Sequence, residues 1–242
     1  VALIEASPAL RAIQAETLPQ AMHLESAEDL PDQPLFLIAN EFFDALPIRQ
    51  FRRDPAGWRE TVIGTDGTTL APALTDPAPI AALDHRLEDT KPGDIVELCP
   101  AAAPIAATIG ARIAAHGGAA LIVDYGDWRS QGDTFQALQG HETTDPFAAP
   151  CQADLTAHVD FEALARAAAP AANTRLTPQG VFLERLGITQ RAQTLARGLS
   201  GPQLETHIAA HRRLTHPAQM GHLFKVMGLF PPGAAPPPGL ET

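Results

Sequence analysis

The sequence predicts an α/β protein built on a parallel sheet, and three stretches carry that prediction. Residues 35–39 form an unbroken apolar run, too short to cross a membrane and suited to a strand buried on both faces. Residues 100–116 form an alanine-rich helical pattern that leads, through two glycines, into a second apolar run at 119–123. A third apolar run at 1–5 ends in the acid Glu5. Strand and helix therefore alternate as in crossover units.

The other elements of the first half follow in order. The first helix opens at Ser7, an N-cap residue, with Pro8 in its first turn. Residues 22–24 predict a brief strand before the central strand at 35–39. Residues 48–94 then change character, with two strand-like runs around turns followed by a proline-rich stretch. We interpret this segment as an inserted β and loop subdomain.

The second half of the chain is predicted to be richer in loops and helices. After a short strand at 95–98 and the crossover to 119–123, residues 127–215 are predicted as a region of loops and helices. Residues 223–229 predict a last strand. We assign residues 1–230 to one domain and expect residues 231–242, rich in proline and glycine, to be a disordered tail.

Composition excludes several classes of protein. The net charge of −11 argues against a nucleic-acid binder, which would present a basic face. No run is apolar over the length that a bilayer requires, so no membrane partner is expected. Two cysteines provide neither a disulfide framework nor a metal set. A reduced, cytoplasmic setting follows, and abundant Arg, Ala and Pro with two lysines are typical of a high-GC bacterial genome.

Polar side chains follow the predicted strands at their carboxyl ends, where open α/β sheets bind ligands. Three such strand ends carry the candidates Glu5, Asn40, Glu41, Asp44, Asp124 and Tyr125. A carboxylate at the end of a strand that leads into a helix can accept hydrogen bonds from both ribose hydroxyls, which is the role we predict for Glu5. The alternative for Glu5 is an exposed residue at a strand end without a binding role. The alternative for Asn40 or Asp44 is to cap a short helix only.

A second group of polar residues occurs at Asp154, His158 and Asp160. This spacing admits a divalent metal, and with Asp124 a metal hydrolase. The alternative, which we favour, is that Asp160 caps a helix and His158 is hydrogen-bonded across a loop. No other His and Cys cluster has metal-binding spacing, so we expect no metal.

Seven sequence segments resemble the corresponding segments of one known family. They are, in order, LIEASPALRAIQ (3–14), ANEFFDALPIRQF (39–51), GGAALIVDYG (117–126), GDTFQALQGH (132–141), ADLTAHVDF (153–161), TPQGVFLERLGI (177–188) and MGHLFKVMGL (220–229). Together they resemble the MidA-like family, formerly a domain of unknown function (DUF185). Its mitochondrial member is an arginine methyltransferase that assists assembly of respiratory complex I.

The resemblance implies a fold and a cofactor. The fold is a Rossmann-like class I sheet of the kind that binds S-adenosylmethionine (SAM), with an antiparallel β insertion and extra C-terminal helices. In this family a glycine-rich turn follows the first strand, and the match to this chain begins after that turn. We therefore expect the sheet to lack its first strand, and this chain alone to bind SAM weakly or not at all, without turnover.

The resemblance also implies site residues. Glu5 and Asn40 are predicted to contact the cofactor, and Glu41 and Asp44 to clamp the guanidinium of a target arginine. His158 is predicted to handle a proton or orient the target. Further residues predicted to line the acceptor side are Asp124, Tyr125 and Gln179.

The predicted function is accordingly SAM-dependent protein arginine N-methylation in assembly of respiratory complex I. A non-catalytic assembly or binding module that retains the fold stays open as the alternative. The expected partner is a protein substrate, located in the bacterial cytoplasm here and in the mitochondrial matrix in eukaryotic relatives. Homodimerisation is left open.

Overall fold

A computed structural model describes residues 1–140 and 142–241, so His141 and the last residue of the predicted tail, Thr242, lie outside the described residues. The strands are β1 (Ala2–Ile4), β2 (Met22–Leu24), β3 (Leu35–Asn40), β4 (Arg49–Asp54), β5 (Gly57–Thr65), β6 (Leu70–Leu74), β7 (Ile95–Leu98), β8 (Gly118–Asp127), β9 (Gln136–Gln139), β10 (Glu142–Thr144), β11 (Asp154–Thr156), β12 (Val159–Asp160), β13 (Ala172–Asn173), β14 (Thr177–Pro178) and β15 (Phe224–Phe230). The helices are α1 (Pro8–Thr17), α2 (Ala102–His116), α3 (Phe161–Ala167), α4 (Gln179–Arg185), α5 (Ile188–Ala196), α6 (Gly201–Thr215) and α7 (Met220–Leu223), with short 3-10 helices at Ala27–Asp29 and Ala81–Arg86.

The main sheet is centred on β8. β3 pairs with β8 in parallel, and β15 pairs with its other edge in antiparallel orientation. Gly118 permits the close approach at the start of β8, because its φ is 100° and a Cβ there would lie 2.0 Å from the carbonyl oxygen of Leu35. The predicted crossover from α2 into β8 is therefore present, and the strand predicted at 223–229 is β15.

The core lies between this sheet and helices α2 and α3. Ile109 and Ile113 of α2 pack with Ile122 of β8, Phe161 of α3 and Leu229 of β15, and each of these side chains is buried. The apolar positions of α2 recur at helical spacing, which places them on one face. Burial of this face fixes the helix on the sheet.

The inserted segment forms a separate antiparallel sheet in the order β6-β5-β4-β7. It has its own small core, in which Phe51, Trp58, Leu83 and Val96 are almost fully buried. The predicted insertion ends at residue 94, but its sheet also includes β7, because Phe51 of β4 pairs with Val96. β9 joins β10 and β11 in a second antiparallel sheet within the region predicted as loops and helices.

The central strand β3 differs from its prediction. Leu35 and Leu37 are partly buried, whereas Phe36 and Ile38 on the opposite face are 83% and 74% exposed. In addition, β1 pairs only with β2 within the described residues and does not join the main sheet. One face of β3 is thus uncovered, as is the edge of β3 away from β8.

The C-terminal segment differs from the predicted disordered tail. Leu240 is 6% exposed and packs with Phe182 of α4 and Val226 of β15. The carbonyl of Glu241 accepts a hydrogen bond from the amide of Arg175 at 2.7 Å. Residues 231–241 cover one end of the sheet because an apolar anchor outweighs their turn-forming composition. In the described part of the chain, no helix has the length and apolarity needed to cross a membrane.

Candidate active site

The loop at residues 40–48 joins β3 to the inserted sheet and is held at both ends. The amide of Glu41 donates to the carbonyl oxygen of Val123 at 3.0 Å, which extends the pairing of β3 with β8 by one residue. Phe43 is 3% exposed within the main core, and its ring meets that of Phe42 edge to face at 5.1 Å. Glu41 has a φ of 50°, a left-handed conformation that is costly for a residue with a side chain. Strain of this kind is concentrated at functional sites.

The carboxylate of Asp124 holds the loop through hydrogen bonds to its backbone amides. This carboxylate is fully buried and accepts hydrogen bonds from the amides of Phe43 at 3.1 Å, Asp44 at 3.3 Å and Tyr125 at 3.0 Å. Burial, and next the negative charge of Asp44, raise the pKa of Asp124 to about 7. The carboxyl group of Asp124 therefore keeps its proton to a higher pH than an exposed aspartate does.

Asp44 lies directly above Asp124. Its side chain is 4% exposed, and its Oδ1 has no hydrogen-bond partner among the described residues. A buried carboxylate oxygen without a partner carries a desolvation cost of about 1–3 kcal/mol or more. A bound donor would remove that cost, so Asp44 is suited to bind a cationic or hydrogen-bond-donating group.

Tyr125 lies next to this carboxylate pair, and His158 lies next to Tyr125. Their rings meet edge to face at 5.6 Å, and Tyr125 also contacts Phe224 at 5.3 Å. Burial and the neighbouring Asp44 raise the pKa of Tyr125, and burial lowers the pKa of His158. Both side chains are therefore uncharged near pH 7, with Tyr125 a protonated phenol.

A first cavity of about 640 Å³, which we call the open slot, lies between β1 and β3. Its lining includes residues 1–5 and 35–42 with Ile105 and Ile109 of α2. Glu5, Asn40 and Glu41 all line it. The carboxylate of Glu5 accepts hydrogen bonds from the amide of Ser7 at 2.8 Å and the side chain of Gln14 at 3.3 Å. Asn40 donates to Glu41 at 3.2 Å.

A second cavity of about 600 Å³, which we call the acid pocket, lies on the other side of the loop. Its lining consists of Asp44, Ala45, Leu46, Pro47, Ile48, Gln50, Thr61, Ile63, Pro72, Asp133, Phe135, Pro146, Phe147, Leu155, Thr156 and Ala157. The loop thus separates the two cavities, with Asn40 and Glu41 facing the open slot and Asp44 facing the acid pocket. The acids at positions 5 and 41 share one cavity, whereas Asp44 belongs to the other.

Glu97 is a buried acid that the sequence analysis did not single out. It is 6% exposed and accepts hydrogen bonds from Gln50 at 3.0 Å and from the amide and hydroxyl of Thr134, the amide at 3.0 Å. The hydroxyl of Thr134 in turn accepts from the amide of His158 at 2.8 Å. Glu97 and His158 line a third cavity of about 350 Å³ beside the acid pocket. In the sequence, the sign that Glu97 is buried is its position as one acid inside the otherwise apolar strand Ile95–Leu98.

Gln179 lies apart from the open slot and the acid pocket, and Asp160 has the capping role that the sequence favoured over metal binding. Gln179 is buried at the start of α4, where its amide donates to the carbonyl of Leu214 at 2.9 Å, and it lines neither the open slot nor the acid pocket. Its role in the structure is to join α4 to α6. Asp160 caps α3 and accepts a hydrogen bond from Arg86 at 3.3 Å. Across the described residues, no three His, Cys, Asp or Glu side chains are grouped to hold a metal.

A protein-family model described as "Putative S-adenosyl-L-methionine-dependent methyltransferase" matches residues 1–180. The chain belongs to this family. The mitochondrial protein arginine methyltransferase NDUFAF7 of Xenopus laevis is 36% identical over 217 residues, which are 86% of this chain and 48% of the relative. The human protein of that name is 37% identical over 212 residues, 84% of this chain and 47% of the relative. The chain thus spans about half the length of these curated relatives.

Solved structures show the same relationship. A COG1565 superfamily member from Burkholderia thailandensis, bound to S-adenosyl-homocysteine, has 30% sequence identity and a TM-score of 0.78. The match covers 95% of this chain and 63% of that structure. A native structure from the same organism has a TM-score of 0.78 and 29% identity over 95% of this chain and 65% of that structure. The predicted family and the methyltransferase-type α/β fold are therefore confirmed.

Proposed function

We propose that this chain provides the acceptor side and the ribose half of the cofactor site of a SAM-dependent protein methyltransferase that acts on arginine. The observation that carries the proposal is the position of loop 40–48 between two cavities, with Asp44 buried and its Oδ1 free to bind on the acid-pocket side. Family membership and the names of the relatives support methyl transfer and an arginine acceptor. The runner-up is a non-catalytic assembly module, supported by the uncovered face of β3.

The cofactor would bind at the end of the open slot where Glu5, Asn40 and Glu41 follow the carboxyl ends of β1 and β3. Glu5 would hold the ribose hydroxyls, because Ser7 and Gln14 already orient its carboxylate and each oxygen has a second lone pair. Asn40, exposed at the end of β3, would contact the same ligand. When bound, SAM supplies an electrophilic methyl group. These residues fit the ribose half of such a ligand.

The target arginine would enter the acid pocket and place its guanidinium against Asp44. A carboxylate that accepts hydrogen bonds from two guanidinium nitrogens orients the third. Holding two reactants in line can contribute about 7–11 kcal/mol to the lowering of the barrier. Methylation of a guanidinium releases one proton, and the unpartnered oxygen of Asp44 would accept it. Glu41, the predicted second half of the clamp, lines the open slot on the other side of the loop, so Asp44 alone would hold the guanidinium and Glu41 would face the cofactor.

The remaining predicted residues would support this arrangement. Asp124 would hold the amides of the loop, and its partial protonation would limit its repulsion of Asp44. Tyr125 and the uncharged His158 would orient the acceptor side through their edge-to-face contact. By the family resemblance, the substrate would be a protein of respiratory complex I, methylated before or during assembly.

Transfer of a labelled methyl group tests this function. The complete protein that carries this chain would be incubated with [methyl-³H]SAM and a protein extract from cells that lack the gene. We expect label in methylarginine after acid hydrolysis, and a loss of at least 100-fold in Glu41→Gln and Asp44→Asn. Label that survives both substitutions unchanged would remove the assigned roles, and no transfer by the unaltered protein would favour the non-catalytic module.

A further inference from the structure

The acid pocket combines two acids with apolar walls. Asp44 and Asp133 are the charged residues among the described residues that line it, and the lining contains no Lys or Arg. Asp133 accepts a hydrogen bond from Gln50 at 2.8 Å, whereas Oδ1 of Asp44 has no partner. The pocket is therefore complementary to one positive charge that reaches Asp44.

The walls fit the aliphatic part of a long cationic side chain. The inserted sheet contributes Thr61, Ile63 and Pro72, and the region around β9–β11 contributes Phe135, Phe147 and Leu155. Long basic side chains bury their methylene groups on apolar surface and place the charged end on a polar group. A side chain of arginine length would pack on these walls while its guanidinium contacts Asp44.

The rim of the pocket has apolar side chains that remain exposed. Ile63 on β5 is 47% exposed, and Leu155 on β11 is 44% exposed. They come from two different sheets and line the same pocket. Because both side chains border the charged pocket, a ligand that extends beyond the pocket could cover them. A free amino acid in the pocket would leave them exposed, whereas a peptide with apolar side chains next to its arginine would cover both.

We infer that the acid pocket selects a protein segment in which the arginine is flanked by apolar residues, and that Ile63 and Leu155 determine this preference. The inference rests on the proposed function and extends it to the sequence around the target. The inserted sheet is then a specificity element, since it provides Ile63 while the loop that follows β3 provides Asp44. Polar flanking residues would leave Ile63 and Leu155 in water and bind less tightly.

Peptide binding tests the inference without requiring turnover. NMR titration would measure the affinity of this chain for Ac-Gly-Leu-Arg-Leu-Gly-amide, its Ser-Arg-Ser counterpart, and a Leu-citrulline-Leu peptide. Citrulline has the shape of arginine without its charge. We expect the Leu-Arg-Leu peptide to bind at least tenfold more tightly than either of the others. Equal affinity for the leucine and serine peptides would overturn the inference, and this comparison needs no variant protein.

Substitutions then locate the preference. We expect Ile63→Ser and Leu155→Ser each to reduce the preference for leucine over serine at least threefold, with affinity for the Ser-Arg-Ser peptide unchanged. Leu195→Ser is the matched control, because Leu195 is 49% exposed on α5 and lies outside the pocket lining. A preference that persists in both pocket variants, or falls equally in the control, would contradict the assignment. Intact peptide preference without any methyl transfer would instead overturn the proposed function.

Discussion

At the scale of single residues, the buried pair of Asp44 and Asp124 dominates the electrostatics of the site. Burial and the charge of Asp44 raise the pKa of Asp124 to about 7, whereas an aspartate in the unfolded chain titrates near 4. Between about pH 4 and pH 7 the folded protein therefore binds a proton that the unfolded chain has released. The contribution of Asp124 to the free energy of unfolding therefore falls as pH rises through this window, because ionisation stabilises the unfolded state and not the folded state.

Asp124→Asn tests this linkage. The substitution removes the titrating group, so the contribution of Asp124 to the pH slope, at most about 1.4 kcal/mol per pH unit, is expected to disappear. The measurement is urea unfolding of the unaltered chain and the variant at half-unit steps from pH 4 to pH 8. Stability of the variant relative to the unaltered chain should rise with pH across the window. A difference that stays constant from pH 4 to pH 8 would show that Asp124 is ionised throughout.

Glu41 provides a second test at the same scale. Its φ of 50° costs a residue with a Cβ about 1–2 kcal/mol relative to right-handed conformations, and glycine lacks this cost. We therefore expect Glu41→Gly to be more stable than Glu41→Ala by about 1 kcal/mol, in chemical denaturation of the two variants. Equal stability, or the reverse order found in ordinary helices and strands, would show that the loop relaxes and that the acid is not held under strain.

At the scale of elements, β3 determines the geometry of the site and presents one open edge. The amides of Leu35 and Glu41 donate to carbonyl oxygens of Gly117 and Val123 at 3.1 Å and 3.0 Å. Alternate backbone amides of a strand point to opposite edges. The amides of Leu37 and Ala39 therefore also point to β8. The amides of Phe36, Ile38 and Asn40 point to the open slot.

Hydrogen exchange followed by NMR measures this alternation. We expect the amides of Phe36 and Ile38 to exchange at least 100-fold faster than those of Leu37 and Ala39, because only the latter are hydrogen-bonded to β8. Amides of β8, which is paired on both edges, provide the reference for full protection. Uniform slow exchange along β3 would mean that a partner strand already occupies the slot in solution.

The elements also show what sequence patterns could predict. The crossover from α2 into β8 was predictable because apolar spacing in a helix and an unbroken apolar run in a strand are local signals. Burial of β3 on both faces was predicted from the same kind of run, yet the exposure of Phe36 depends on what covers the sheet. The prediction that the tail is disordered is wrong, because Leu240 is buried against Phe182 and Val226, which are far away in sequence.

At the scale of the whole molecule, the sequence and the family resemblance predict one edge of the sheet for Asn40, Glu41, Asp44 and Asp124. In the structure, Asp44 lines a different cavity from Asn40 and Glu41. The backbone turn at Glu41 directs Asp44 away from the open slot, and no local pattern reveals that direction. Glu97 was missed for a related reason. Its partners Gln50 and Thr134 lie on other segments, so its burial follows from the packing of the inserted sheet against the main domain.

The open slot is assigned to the cofactor and the acid pocket to the peptide. One calorimetric comparison tests this assignment most directly. The complete protein that carries this chain would be titrated with S-adenosyl-homocysteine and with the Leu-Arg-Leu peptide, alongside Glu5→Gln and Asp44→Asn. We predict that Glu5→Gln weakens binding of the cofactor product at least tenfold and leaves peptide affinity unchanged, and that Asp44→Asn does the reverse. If either substitution weakens both ligands equally, or affects neither, the two cavities do not have the separate roles assigned to them.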